Sequence, residues 1–461
     1  MNMKSSESSP ITARLVTHVV NTPFAAIDAE AVAAAKTFIL DSFGVALSGT
    51  RVPLVRELAQ VAGDWGHGSA CRVWGTGERV PAASAAFLNG YQIHNQEWDC
   101  VHEPAVVHPM AVVLATLVAW AEARGGVSGR ELIRGCVLAV DVATSIGAAA
   151  RNKLRFFRPA MCGALGATAG IAAMRGLDEQ TTRSALGLAY SQLSGTMQAH
   201  VEGSAMLPIQ IGFNARSALA AVDMAMRGIV GPRHFLEGPF GYFALMDNEW
   251  DPIAFDGLGQ QFRITELSHK PFPSGRATHG GVDGMLTLRE RHSFSNASLR
   301  QIRLIAPPLV IQLVARPPTP NMAPSYARLC APYVVATALL NGTVGVGDFE
   351  PTAIADPARQ SLALRVQVVL DANTALNALA PQRVEADLDD GRCLAIDLPA
   401  VLGAPGRPLT RDQHLAKFRL AASSGSRAFS PAAAERTVAL VDRLDEMQDI
   451  RQLVDSLMFA R

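Results

Sequence analysis

Apolar residues recur at three- and four-residue spacing along most of the first half of the chain, from about Thr12 to Arg227. That period predicts a run of α-helices. The segment AIDAEAVAAAKTFILDSFGVALSG shows the grammar, with Asp28 placed as an N-cap and Gly49 closing the run. PAASAAFLNGYQIHN, HPMAVVLATLVAWAEARGG, SGRELIRGCVLAVDVATSIGAAA and DEQTTRSALGLAYSQLSG repeat it. Pro109 suits the first position of a helix. His108 is therefore expected at that helix's N-terminus, where free backbone N–H groups and the dipole favour an anion.

Between about Ser293 and Leu402 the period changes. In SLALRVQVVLD the residues Leu362, Leu364, Val366 and Val368 fall on alternate positions, as in a half-buried strand. RVEADLDDGRCLAIDLP reads as a hairpin turning at Asp390-Gly391. RQIRLIAPPLVIQLVA supplies further strand-like sequence, and PYVVATALLNG reads as a buried helix with Gly342 near its C-cap. Beyond Pro408 helical spacing returns, and Ser430-Pro431 marks a helix start. The expected fold is mainly α: a large helical domain, an inserted or appended α+β domain, and a helical tail.

Composition narrows the class. A chain of 461 residues that is 49% hydrophobic and 18% charged can bury a large core, and its length suits about three domains. Zero net charge argues against nucleic acid or an anionic membrane as partner. It also leaves little self-repulsion to oppose an oligomer. The cysteines (Cys71, Cys100, Cys136, Cys162, Cys330, Cys393) are widely spaced and read as small core hydrophobes in a reducing compartment. MNMKSSESSPITARL has no apolar stretch behind its charges, so no secretory signal is expected, and its first nine residues or so are expected to be disordered. The apolar run Met161 to Met174 is shorter than the roughly 20 residues a bilayer needs. Its Gly and Ala predict a helix packed closely on its neighbours. A soluble, cytoplasmic protein follows from these readings.

Against this background the stretch NQEWDCVHEPAVVHP stands out, with Glu97, Asp99, Cys100, His102, Glu103 and His108 together between apolar helices. Such density marks a functional cleft rather than surface dressing. His102 and His108 are six positions apart, which matches neither the helical nor the knuckle spacing of zinc ligands, so no metal is expected. No nucleophile elbow, P-loop or dinucleotide fingerprint supports a nucleotide or flavin cofactor. A second constellation is HKPFPSGRATHGGVD, where Ser274 is placed to cap a helix starting near Gly275. Lys270, Ser274, Arg276 and His279 would then crowd around a helix N-terminus, an arrangement suited to a carboxylate ligand. In RNKLRFFRPAMC, Arg158 is either substrate-facing or a helix-end charge.

LDSFGVALSG, FLNGYQIHNQEWD followed by HP, GALGATAGIAAMRGLD, GPRHFLEGPFGYF, KPFPSGRATHGGVD and YVVATALLNG occur in that order. Through them the chain, from about Thr12 to its C-terminus, resembles the MmgE/PrpD family, which includes 2-methylcitrate dehydratases, cis-aconitate decarboxylase and iminodisuccinate epimerase. The resemblance implies a large all-helical domain from both chain ends, residues 1–268 completed by 405–461, and a smaller α+β lid domain, residues 269–404. It implies a homodimer, no metal or organic cofactor, a small di- or tricarboxylate substrate, and an active site between the domains. The family's acidic cluster D-F-D-D-T reads Glu97-Trp98-Asp99-Cys100-Val101 here, and the His-Pro that follows is His108-Pro109. Its K-P-Y-P-S-C-R-x-T-H segment keeps Lys270, Ser274, Arg276 and His279, with Gly275 for the Cys. Three positions depart: an active-site His is Arg158, a Lys is Leu207, and a Tyr is Leu313.

Family chemistry is carbon-acid chemistry beside a carboxylate. His108 is the first choice for general base or acid, since histidine titrates near neutrality. Glu97 or Asp99 would orient it, and His279 or His102 would be a second proton carrier. Lys270, Arg158 and Arg276, with Ser274 and His102 beside them, would bind carboxylates. Arg158 adds fixed positive charge while Leu207 and Leu313 make the pocket more apolar, and the three changes together predict a less charged substrate, or one with a hydrophobic group. Three functions stay open: a lyase of the dehydratase type, a cofactor-independent isomerase or epimerase, and a non-catalytic carboxylate-binding homologue.

Overall fold

The structure, a computed structural model, describes residues 10–373 and 375–459. The N-terminal stretch expected to be disordered lies outside the described residues. Six long helices build the body: α1 (Ala29–Gly49), α2 (Ala82–His94), α3 (Pro109–Ala123), α4 (Gly129–Ala149), α5 (Arg158–Arg175) and α6 (Met206–Ala225). Their starts follow from local chemistry. Asp28 Oδ1 accepts the Ala31 N–H at 2.7 Å, a capping box joins Ser128 and Glu131, and Pro109 occupies the first turn of α3.

Helices α3 and α5 are buried around almost their whole circumference, so each must be enclosed by others. Helix α5 packs against α3, α4 and α6. Its glycines allow that. At Gly166 a Cβ would run into the Ala139 carbonyl of α4, and Gly170 faces Gly135 across the same crossing. We expect Gly166→Ala to force the helices apart and lower stability by about 1–3 kcal/mol, read as a lower urea midpoint at unchanged m-value. Helices α1 and α4 have the length and composition of membrane spans, yet 72% and 89% of their apolar windows are buried inside the protein.

Next along the chain come α7 (His279–His292), β1 (Leu299–Ala306), α8 (Ala331–Asn341), β2 (Val366–Leu370), β3 (Gln382–Leu388) and β4 (Cys393–Leu398). The sheet order is β2-β1-β3-β4. Strands β1 and β2 run parallel with Ile302 opposite Val366, while β3 is antiparallel to both β1 and β4. Alternate residues Ile302, Leu304, Val384 and Ala386 are buried, and α7 and α8 lie against the sheet. The hairpin turns at Gly391, whose φ of 87° suits glycine.

Two strand expectations are corrected. In SLALRVQVVLD the first half is a helix, Pro357–Ala363, capped by Asp356, and the strand begins only at Val366. In RQIRLIAPPLVIQLVA the strand stops at Ala306, and Pro308–Val314 is helical. In both a proline starts the helix, Pro357 ahead of the first segment and Pro308 within the second. The chain then returns to the helical body through α9 (Arg411–Ser423) and α10 (Pro431–Asp442), the latter capped by Ser430 as expected. Both pack on α1, with Phe418 seated over Gly44.

Candidate active site

The last carbonyls of a helix lack intrahelical partners, and at the end of α1 they anchor a loop. Asn95 donates to Gly49 O at 3.0 Å and Gln96 to Ser48 O at 3.1 Å. Directly after them Glu97 takes a left-handed conformation, φ 54°, as does Val106. Such conformations in non-glycine residues cost about 1–3 kcal/mol each and persist where surrounding structure imposes them. Here antiparallel bridges, His102 to Val107 and Val101 to Ser268, hold the loop. The second bridge lays the two charged stretches of the sequence side by side.

Where they meet, five ionisable side chains converge. Lys270 Nζ lies 2.9 Å from Glu97 Oε2, donates to Glu97 O at 3.0 Å, and lies 3.7 Å from Asp99 Oδ1. Asp99 Oδ2 receives His94 Nδ1 at 2.9 Å and faces His108 Nδ1 at 3.3 Å. His94 Nε2 points to Glu97 Oε1 at 3.5 Å, and the two imidazoles meet edge to face, centroids 4.9 Å apart. Burial works against ionised carboxylates, but the charges of Lys270, His94 and His108 prevail and bring Glu97 down to about 2. Burial works the same way on Asp99, and His94, His108 and Lys270 hold it well below its ordinary value. Burial and then the Lys270 charge push His108 below the usual histidine range, with Asp99 opposing. For His94 burial is outweighed by Asp99 and Glu97, and the imidazolium is favoured.

A stability consequence follows for Glu97. Its folded value near 2 lies below the ordinary 4.5, so its contribution is present above pH 4.5 and is lost as pH falls towards 2. Urea midpoints measured between those limits should fall less steeply for Glu97→Gln than for the unmodified chain.

Glu97 and His108 border a cavity with 60 Å³ of water-accessible space, room for a few waters at about 15 Å³ each. Its other walls include Leu154, Phe157, Met197, Leu207, Leu313 and Leu379, with His200 and Arg276. With Nδ1 turned to Asp99, His108 has Nε2 left for a ligand.

The remaining expected site residues have their hydrogen-bond partners outside the five-residue cluster. His102 is buried, its Nε2 2.7 Å from Glu266 Oε2 and its Nδ1 accepting the Ala105 N–H; burial leaves it neutral. Arg158 lies under the surface, donating to Asp247 at 3.0 Å and to the Asn152 carbonyl. Only its neighbours Phe157 and Pro159 reach the cavity. Arg276 borders the cavity but spends its donors on Glu103 at 2.8 Å and on the carbonyls of Leu402, Val401 and His269. Ser274 caps no helix: it bonds Thr278 Oγ1, a short 3-10 turn follows, and α7 starts at His279. His279 bonds the Ser274 carbonyl and does not border the cavity; burial, then Arg276 and Lys270, keep it far below its ordinary value.

Three functional candidates were not anticipated. His94 ends α2 three residues before Glu97, and that i,i+3 spacing was the available signal. Lys417 on α9 donates to Trp98 O at 2.9 Å and pairs with Asp41 of α1 at 2.6 Å. Trp98 stands between the two carboxylates, and its indole N–H donates to Pro271 O, next to Lys270. This clamp therefore touches both charged stretches.

Donor atoms of His94, Asp99 and His108 lie within 4.8 Å of one another, as do those of Asp41, His269 and His414, so spacing alone would let either set hold an ion. In each, a lysine ammonium already faces the carboxylate, Lys270 on Asp99 and Lys417 on Asp41, and supplies the positive charge there.

What the elements and the cluster define is a class: a mainly helical protein with a buried carboxylate–histidine–lysine cluster beside a largely apolar cavity. The chain belongs to the MmgE/PrpD family. Residues 13–253 match the MmgE/PrpD N-terminal domain and residues 272–446 the MmgE/PrpD C-terminal domain. It is 26% identical over 433 residues to the cis-aconitate decarboxylase of Mus musculus, covering 90% of this chain and 86% of that one. It is also 26% identical over 440 residues to the Homo sapiens cis-aconitate decarboxylase, covering 92% and 89%. The cis-aconitate decarboxylase-like protein oryM of Aspergillus oryzae is 26% identical over 457 residues, covering 92% and 93%.

Proposed function

We propose that the chain is a lyase acting on a small carboxylate by carbon-acid chemistry, with His108 as proton carrier. One observation carries the reading: a neutral imidazole that borders the cavity and is turned by a buried carboxylate, His108 Nδ1 to Asp99 at 3.3 Å. In an elimination, His108 Nε2 takes a proton from the carbon beside the substrate carboxylate. The C–H electron pair becomes the new C=C bond. Hydroxide departs from the neighbouring carbon and recovers that proton as water, so nothing else is consumed. Lys270, 2.9 Å from Glu97, offsets the carboxylates' charge so that an anion can enter. Relatives named cis-aconitate decarboxylase support a lyase on a carboxylate. In that form CO2 leaves, and the carbanion takes a proton that His108 Nε2 has first picked up from solvent, so one solvent proton is consumed for each CO2 released.

An isomerase or epimerase is the second reading, and one observation favours it. Glu97 is ionised down to about 2, so it is no acid for a leaving group, whereas proton transfer alone needs none. In either reading, residues 269–404 form a lid on a body made of residues 1–268 and 405–461, and the chain works as a homodimer.

Proton NMR in D2O tests both. The panel is cis-aconitate, citrate, 2-methylcitrate and 3-hydroxy-3-methylbutanoate. A new vinyl signal supports the lyase. Deuterium entering a carbon beside the carboxylate without net product supports the isomerase. Silence with every acid sinks both.

A further inference from the structure

A carboxylate entering this cavity must find a cation or a donor, and most of the wall offers neither. Arg276 is paired with Glu103 and gives three further N–H groups to backbone carbonyls, and Glu97 is an anion held by Lys270. That leaves His108 at one end and His200 at another. His200, 5% exposed, borders the cavity on the short helix Gln198–Glu202. Behind it stands Arg316, whose Nη2 lies 3.2 and 3.4 Å from the two ring nitrogens.

Arg316 is fixed in place but not neutralised. Its guanidinium lies over the Tyr326 ring at 4.7 Å, and Nη2 donates to Leu313 O at 3.3 Å. Its Nη1 is buried without a hydrogen-bond partner among the described residues, and the carboxylate whose charge reaches it, Glu97, is itself paired with Lys270. A half-buried guanidinium with one buried idle donor and no close counter-ion favours an anion nearby, and it reaches the cavity through His200 rather than lining it. Burial, then Arg316, bring His200 down to about 4, so the imidazole is neutral and leaves the positive charge of Arg316 unopposed.

We propose that His200 backed by Arg316 receives the carboxylate of the ligand, and that the ligand is a short monocarboxylate with an apolar body. This rests on reading the cavity as the active site. The second half follows from the walls between the two polar ends. Leu154, Phe157, Met197, Leu207, Leu313 and Leu379 would face any second or third carboxylate with no partner, which disfavours its entry.

Calorimetric titration with 3-methylbutanoate and with tricarballylate, a tricarboxylate of citrate-like shape, tests the assignment. The unmodified chain should bind 3-methylbutanoate about tenfold or more tightly than tricarballylate, and Arg316→Gln should weaken the former by about tenfold or more. His200→Leu, which keeps the volume and removes the donor, should do the same and carries the test if Arg316→Gln fails to fold. Equal or tighter binding of tricarballylate, or no binding of 3-methylbutanoate, overturns the ligand class. Unchanged binding in both Arg316→Gln and His200→Leu overturns the receiver. Binding that depends on Arg316, joined to silence in the NMR panel, overturns the lyase and isomerase readings and leaves the receiver standing.

Discussion

Replacement of His108 by alanine is expected to lower turnover by about 10²- to 10⁴-fold, the usual worth of a positioned acid–base group, while ligand binding persists. The side chain accepts no capping hydrogen bond from α3, so its loss leaves that helix's start intact. The same assignment fixes a pH profile. A base must be unprotonated to act, and burial with the Lys270 charge holds His108 below 6.5. The rising limb of kcat/KM should therefore lie below pH 6.5 in the unmodified chain and vanish in His108→Ala. A limb that stays in place in the variant would assign the proton transfer to another group.

Lys270→Met is expected to be the most destabilising single change in the site. It removes the ammonium that faces both Glu97 and Asp99 and leaves two buried carboxylates to the histidines alone. Removing one partner of a buried ion pair costs about 3–5 kcal/mol, chiefly because the other charge stays buried. The origin of the loss can be separated from packing by a double-mutant cycle. Adding Glu97→Gln to Lys270→Met should restore part of the stability, since a neutral amide no longer needs the cation. Additive losses in urea melts would show that Lys270 acts through its methylene stem instead.

Local chemistry wrote the helical body plainly. Asp28, Pro109 and Ser430 each start the helix their type predicts, and the Asp390-Gly391 hairpin pairs as its alternation requires. Sequence failed where short apolar runs sat beside proline: Leu362 fits a strand by period, but Asp356-Pro357 starts a helix through it. A run of a few residues has too little period to choose between the two.

The site was legible in part for a related reason. Glu97, Asp99, His108 and Lys270 do come together, from two stretches that were conspicuous for their charge. His102, Arg158 and Arg276 looked equally available, yet each is held by an acid far along the chain, Glu266, Asp247 and Glu103. Spacing cannot show such long-range partners. His94 was missed because it ends an apolar helix, where a lone histidine reads as core.

The clamp between Lys417 and Trp98 O joins positions 319 residues apart. A ribosome adding about 5–20 residues per second needs tens of seconds to cross that span. Throughout that interval helix α1 carries Asp41 without its cation, and the Glu97–Asp99 loop has no anchor from behind. The nascent helical body can collapse early, but its reactive loop is set only when α9 has emerged and docked. Assembly order thus acts as a timer: Asp41 and the Trp98 carbonyl gain their shared cation only after α9 has been made.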